Sequence, residues 1–313
     1  YDALEQYVPT ILQLPTNVSA AFAQLRGRVA EQLLAARTAG DAATQARAEK
    51  AFTFFDRVLL FKPGKIRGGQ KAHNSGGLAR ILTRRVRMAE QGDWGGLWRE
   101  STTTTSRGLN RGGSAPTAKQ DARAVESLLD EHLISKAMQR ALRPSALASG
   151  AGVQAGLQSL FPDGPEKHLL QAPAAPDDDA RAALAAAVVK SLAKSPRRSG
   201  PGPNGSRFEH WRTLLADTPA LEAVAGVTVA FLLGELSPEA TRANLGARLL
   251  AQRKRNGTLQ PIACGSVLRR LAARAACDVY KDDIESAVGR HQYAVGRAAG
   301  CELVHKCLTA LSE

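Results

Sequence analysis

The chain has 313 residues, of which 44% are hydrophobic and only 5% aromatic, and its 42 lysines and arginines outnumber 29 aspartates and glutamates. This hydrophobic content suffices for a packed core and argues against wholesale disorder. Sparse aromatic residues and abundant alanine favour helices over sheets. The net charge of +13 indicates an acidic partner, either nucleic acid or a membrane surface. No apolar run approaches the roughly 20 residues that span a bilayer.

Residue spacing excludes several kinds of site. The four cysteines form no CxxC pair and the six histidines no HExxH motif, which argues against zinc and thioredoxin-type sites. Asp282 and Asp283 are adjacent in a predicted helix, so their side chains point about 100° apart and do not converge on one ion. We therefore expect this chain to bind no metal or other cofactor. The first residues do not resemble a secretory signal, and we expect an intracellular protein of the nucleus or cytoplasm.

Positive charge is concentrated in two blocks. Nine basic residues and no acidic one lie between Arg57 and Arg87, and eight lie between Arg242 and Arg274. Blocks of this kind in nearly neutral surroundings are typical of binding surfaces.

In chain order, hydrophobic spacing predicts four helices in the first half of the sequence. We expect the Ser- and Thr-rich residues 101–117 to form a loop. The Gly-, Ala- and Pro-rich residues 151–177 are predicted to form a linker, which separates a helical, basic region (1–150) from a compact unit (178–313). The four predicted helices are residues 17–38 with Asn17 as N-cap, 44–61 stopped by Pro63-Gly64, 78–91 and 119–142.

The region after the linker carries stronger local signals. A helix is predicted over 177–192, irregular backbone over 199–205, and further helices from Phe208, over 221–233 and from Ser237. Strands 249–253 and 259–263 flank Asn256-Gly257, a dipeptide favoured in type I′ turns, and predict a β-hairpin. A last helix is predicted over 266–288. The expected fold is mainly helical with one short hairpin.

Two features of this region suggest phosphate binding. Arg253, Lys254 and Arg255 precede the tight turn and place three cations on a projecting hairpin, although an ordinary solvated turn explains them equally well. Gly200–Gly205 could approach a nucleic-acid backbone, because glycines expose their amides. The segment does not match a P-loop.

Four segments in order resemble the reverse transcriptases of non-LTR retrotransposons. Residues 195–210 (SPRRSGPGPNGSRFEH) resemble the family's GPDG and R-x-E-H motifs, and residues 249–262 (LLAQRKRNGTLQPI) its K-x-d-G-x-x-R-P-I hairpin. Residues 263–271 (ACGSVLRRL) are similar to the start of the following helix. Residues 291–296 (HQYAVG) and 300–305 (GCELVH) resemble its Q-[FY]-G-V-G and G-x-E-x-[AIV]-H motifs.

This resemblance implies that residues 178–313 are the fingers part of an RNA-directed DNA polymerase. Lys254 matches the lysine that contacts the nucleotide triphosphate, whereas Gln260 replaces the partner arginine with an uncharged donor. Asn204 replaces the aspartate of GPDG, a mild change because Asn tolerates the same turn. The predicted nucleotide- or nucleic-acid-binding residues are Arg253, Lys254, Arg255, Gln260, Pro261, Gly202, Asn204, Gly205, Arg207, Arg269 and Arg270.

The resemblance also sets limits on activity. The family's metal-binding aspartates would follow Glu313, so the palm core is missing, and Mg²⁺ is implied only for the complete enzyme. We therefore expect nucleic-acid binding, to an RNA template or an RNA–DNA hybrid, without polymerisation. Two alternatives remain: a basic helical RNA- or DNA-binding module without an enzymatic role, and a helical structural or assembly protein.

Overall fold

The structure, a computed structural model, describes residues 1–5, 7–63, 75–108, 118–142, 148, 151–160, 176–254 and 256–289, and single positions from 302 to 310. In this part of the chain all elements are helical except one antiparallel pair of strands, so the predicted mainly helical fold with one hairpin is confirmed. The α-helices are α1 (Thr16–Ala39), α2 (Ala42–Leu60), α3 (Ser75–Glu90), α4 (Trp94–Gly108), α5 (Ala118–Asp130), α6 (Ile134–Leu142), α7 (Ala151–Gln158), α8 (Asp178–Ala193), α9 (Phe208–Trp211), α10 (Thr218–Leu232), α11 (Pro238–Leu245), α12 (Val267–Val279) and α13 (Lys281–Val288), and the strands are β1 (Ala247–Arg253) and β2 (Leu259–Gly265).

One hydrophobic core joins the two halves of the chain. It includes Phe22 of α1 and Leu59 of α2 together with Val227 of α10 and Leu271 of α12. Helix α1 packs against both α2 and α10 because apolar side chains cover both of these faces. The helices before residue 150 and the unit from residue 178 therefore pack together in one core, and the expectation that they are separate in packing is wrong.

An extended segment before α1 reinforces this junction. The backbone N–H of Ile11 donates to the carbonyl of Leu60 at 2.9 Å, and Thr10 forms a β-bridge with Phe61. The Thr10 hydroxyl also donates to the carbonyl of Gly205 at 2.6 Å. The segment thus connects the end of α2 to the Gly-rich stretch that precedes α9.

Helix boundaries in the first half differ from the predictions where capping is involved. Helix α1 begins after Pro15, and Asn17 lies inside it, so the predicted Asn17 cap is wrong. Helix α2 begins earlier than predicted, after Asp41, whose carboxylate accepts from two backbone N–H groups. Helix α4 extends to Gly108 through part of the predicted loop. There the hydroxyl groups of Thr102 and Thr103 donate hydrogen bonds to backbone carbonyls one helical turn earlier.

The single helix predicted over 119–142 is two helices. After α5, His132 takes a left-handed conformation with a φ of 57°. Its N–H donates to the carbonyl of Leu129, and the N–H of Leu133 donates to that of Leu128, both at 2.8 Å. This pair of bonds is a Schellman motif, which ends α5 although the position normally filled by glycine holds histidine.

Two further expectations are corrected. Residues 151–158 of the predicted linker form α7, whereas 161–175 lie outside the described residues. The helix predicted over 266–288 divides at Tyr280 into α12 and α13. By contrast, the predicted starts of α8 and α11 are confirmed, because Asp177 and Ser237 accept hydrogen bonds from the first turns of these helices.

The predicted hairpin is confirmed, with slightly longer strands. Strands β1 and β2 pair from Ala247 opposite Gly265 to Arg253 opposite Leu259. The predicted type I′ conformation of the turn, however, is wrong. Gly257 has a φ of 81°, but the hydrogen bonds at the turn are not those of a two-residue type I′ loop.

The turn is instead wider than a two-residue loop. The N–H of Lys254 donates to the carbonyl of Thr258 at 2.9 Å, and the N–H of Gly257 donates to that of Lys254 at 3.0 Å. This arrangement is the three-residue loop that closes with glycine in the left-handed conformation. Lys254 and Thr258 are therefore the last pair of the hairpin.

Candidate nucleic-acid interface

The hairpin presents its polar side chains to solvent. Arg253 and Lys254 are exposed, as is Gln260, while Pro261 is half-buried opposite Ala251. Arg255 lies outside the described residues. Gln252 is opposite Gln260, and because side chains alternate along a strand, Lys254 lies on the same face as both of them. The two positions that the resemblance assigns to triphosphate binding thus share one face.

The Gly-rich segment, residues 200–205, is packed inside the protein from residue 201 onward, whereas Gly200 is exposed. Gly202, Asn204 and Gly205 are all buried. The Asn204 amide donates to the carbonyl of Thr53 at 3.0 Å, and its side-chain oxygen accepts from the N–H of Ser206 at 3.1 Å. These contacts assign the three residues a role in packing, because their neighbours are protein atoms rather than an open surface.

The predicted R-x-E-H residues lie beside this segment and join it to the core. His210 is fully buried, and its Nδ1 accepts from the backbone N–H of Arg207 at 3.3 Å, so its Nε2 donates to the carbonyl of Ile11 at 2.9 Å. Burial lowers the pKa of His210, which is consistent with this neutral form. Arg207 is half-buried and donates to the carbonyl of Ser199 at 3.2 Å.

A buried ion pair lies next to His210. Arg26 of α1 pairs with Asp56 of α2, and each is 2% exposed. The indole N–H of Trp211 donates to Asp56 at 3.2 Å. Burial raises the pKa of Asp56, but the charge of Arg26 and hydrogen bonds from Ser206 and Arg26 outweigh it and hold that pKa below its ordinary value.

The first basic block does not form one binding surface, because two of its arginines are in the core. Arg57 and Arg85 are each 1% exposed, and burial lowers the pKa of each to about 10. The Arg85 guanidinium donates to the carbonyl of Phe61 at 2.8 Å and pairs with Glu100 at 3.1 Å. The members at positions 65, 67 and 71 lie outside the described residues.

Helix α12 carries three arginines with different environments. Arg269 is exposed, and its guanidinium donates to the carbonyl of Leu245 at 2.6 Å. The guanidinium carbons of Arg270 and Arg274 lie 4.5 and 5.4 Å from the ring centroid of Phe208. Burial lowers the pKa of Arg270, and the charges of Arg274 and Arg207 lower it further. Two of these three cations thus lie against one buried ring.

A groove lies between α8 and α12, next to this cluster. Its volume is about 560 Å³, and its charged lining residues are Lys190, Lys194, Arg274 and Asp278. Lys190 pairs with Asp278 at 2.7 Å. A hydrogen bond from Lys190, together with the charges of Lys190, Lys194 and Lys281, lowers the pKa of Asp278. We call this feature the α8–α12 groove.

The groove is the element of the site that the sequence analysis missed. Lys190 and Lys194 lie in a segment of mixed charge, more than 70 residues before Arg274, so no local concentration of charge marks them. Only their spacing of one helical turn could have indicated a common face of α8. Their meeting with Arg274 depends on the packing of α8 against α12.

The described residues lack two kinds of feature. They contain no group of three or more His, Cys, Asp or Glu side chains placed to hold a metal ion. Nor does this part of the chain include a helix that is long and apolar enough to cross a membrane. No family model, curated protein or solved structure matches the chain.

Proposed function

We propose that this chain is the nucleic-acid-binding fingers part of an RNA-directed DNA polymerase of the non-LTR retrotransposon type, and that it binds RNA through its β-hairpin. The observation that supports the proposal most is the exposed hairpin, in which Arg253 and Lys254 adjoin the turn. An exposed pair of cations at the tip of a strand pair can reach phosphate oxygens without moving the core.

The geometry of the hairpin also bears on how strongly the chain binds a nucleotide. Lys254 and Gln260 share one face, separated diagonally by one residue pair. Side chains at such diagonal positions come within about 7–8 Å of each other at their bases, so two long cations there can hold one triphosphate. With Gln260 in place, only one charge is available, and we expect weak nucleotide binding.

The experiment compares Lys254→Ala and Gln260→Arg in titrations with single-stranded RNA and with a nucleoside triphosphate. Lys254→Ala is expected to weaken RNA binding roughly fivefold, about 1 kcal/mol, because the lysine is exposed. Gln260→Arg is expected to strengthen triphosphate binding by a similar factor, because it adds a charged donor beside Lys254. Lys119→Ala, an exposed lysine on α5, is the control.

The two ligands separate the proposal from its nearest alternative. An RNA-binding module without a polymerase origin responds to Lys254→Ala with RNA but gains nothing for the triphosphate from Gln260→Arg. If both variants leave both affinities equal to those of Lys119→Ala, the hairpin is an ordinary solvated turn and the proposal is wrong.

A further inference from the structure

The cations around the α8–α12 groove form a continuous track that starts at the base of the hairpin. Arg270 donates to the carbonyl of Gly200 at 3.3 Å, and Gly200 packs against the side chain of Cys264 in β2. Arg270 and Arg274 contact the same ring of Phe208, and Arg274 lines the groove with Lys190 and Lys194. These cations therefore extend from beside β2 to the end of α8, with the carboxylate of Asp278 among them.

The charges on this track are strongly unbalanced. The groove is lined by three cations, Lys190, Lys194 and Arg274, and by one carboxylate, that of Asp278, and Arg270 adjoins Arg274 over the ring of Phe208. Glu209 is an acid near Arg270, and it accepts a hydrogen bond from the backbone N–H of Arg198. A track with this excess of positive charge attracts a polyanion rather than a mixed surface.

The lining also indicates which polyanion fits. Besides its charged residues the groove is lined by Ser191, Ala273 and Cys277, so it has no large apolar side chain. Protein interfaces bury an apolar, usually aromatic, centre, which this groove does not provide. Phe208 is 1% exposed beneath its arginines and cannot stack on a base. These features favour contacts with phosphates, which carry no sequence information.

We infer that the α8–α12 groove binds the phosphodiester backbone of a single-stranded nucleic acid, without sequence preference, as a second contact that continues the strand bound at the hairpin. The inference rests on the proposed function, since the strand is the one that the hairpin holds. Cations on facing helices approach a single strand from both sides. Lys190 on α8 and Lys194, the residue at its C-cap, are spaced by one helical turn.

The test measures the affinity for a labelled uridine oligonucleotide by fluorescence anisotropy over a range of salt concentrations. If each lysine neutralises one phosphate, the double variant Lys190→Ala/Lys194→Ala makes the slope of log K against log salt less negative by about 1.4. This change corresponds to about 25-fold weaker binding at 0.1 M salt. Asp278→Asn removes the one lining carboxylate, which repels the phosphates, so binding is expected to tighten about fivefold, the effect of one unit of charge.

The control is Lys50→Ala/Lys119→Ala, which removes the same charge from two exposed positions outside the groove. Circular dichroism verifies that each variant is folded; the Lys190–Asp278 pair is exposed, so its loss perturbs folding little. A cytidine or adenosine oligonucleotide is expected to give the same result.

Failure of the inference differs from failure of the proposed function. If the wild-type chain shows no saturable, salt-dependent binding, the proposed function is wrong, and the inference with it. If the wild type binds but Lys190→Ala/Lys194→Ala matches its control, the inference alone is overturned. It is also overturned if poly-glutamate of equal charge displaces the RNA and its binding requires the same two lysines, because the groove then binds an acidic protein.

Discussion

Asp56→Asn tests the buried ion pair that joins the N-terminal helices to the rest of the core. Asparagine keeps the size of the side chain and can still accept the hydrogen bond from Trp211, but it removes the negative charge. Arg26 is then left as an unpaired cation, 2% exposed, enclosed by the rings of Phe22, Phe55 and Trp211. The perturbation therefore isolates the charge interaction.

The expected loss is large. Removing one partner of a buried pair typically costs about 3–5 kcal/mol, because the remaining charge is desolvated and uncompensated. Three aromatic rings lie 4.7–5.1 Å from the Arg26 guanidinium carbon and offset part of this cost through cation–π attraction. We therefore expect Asp56→Asn to lower the free energy of unfolding by about 3 kcal/mol.

Urea unfolding followed by far-UV circular dichroism and tryptophan fluorescence measures this loss. Glu90→Gln is the matched control: it breaks the exposed Arg28–Glu90 pair and is expected to cost less than about 1 kcal/mol. Adding Arg26→Met to Asp56→Asn removes the unpaired cation and is expected to recover part of the loss. An Asp56→Asn variant within about 1 kcal/mol of the wild type refutes the buried pair.

Two further predictions concern the same core. Burial lowers the pKa of His210, so the unfolded chain binds a proton at this residue more readily than the folded chain does. The stabilisation from the neutral ring is therefore complete above the ordinary histidine pKa of 6.5 and is lost as the pH falls below it. The free energy of unfolding is expected to fall by up to about 1.4 kcal/mol per pH unit. Thermal unfolding of His210→Gln should lack this slope, and an unchanged slope would contradict the assignment. Gly27→Ala is expected to cost about 1–3 kcal/mol, because an added Cβ would lie 2.5 Å from the Cβ of Ala220, whereas Gly76→Ala on α3 has open space and serves as the control.

Local signals in the sequence predicted the fold class and many elements. The caps at Asp177 and Ser237 act within one turn, so the starts of α8 and α11 could be predicted without tertiary information. The hairpin was predicted for the same reason, since glycine at position 257 and alternating strands are short-range features.

Elements that depend on unusual conformations were missed. The end of α5 needs a left-handed histidine at position 132, and the sequence there continues an amphipathic pattern into α6. Glycine at this position would have predicted the end of the helix, whereas histidine is uncommon in the left-handed conformation. Helix α4 extends through a threonine run of low helix propensity, and the burial of Leu97 contributes to holding it in place.

The candidate site depended most on long-range packing. Counting charges placed Arg57 and Arg85 at a surface, whereas contacts with Trp98, Phe61 and Glu100 place them in the core. The Gly-rich segment was expected to be accessible, but the segment before α1 covers it, as the contact of Thr10 with Gly205 illustrates. Neither outcome can be deduced from neighbouring residues in the sequence.

The salt dependence of RNA binding by the wild-type chain tests the central claim most directly. Anisotropy titrations with single-stranded RNA across a range of salt concentrations yield the slope of log K against log salt. Contacts at the hairpin (Arg253 and Lys254) and in the α8–α12 groove (Lys190, Lys194 and Arg274) predict saturable binding with a slope of about −3.5, since each neutralised phosphate contributes about −0.7. The absence of saturable binding at about 50 mM salt, or a slope near zero, would contradict the claim.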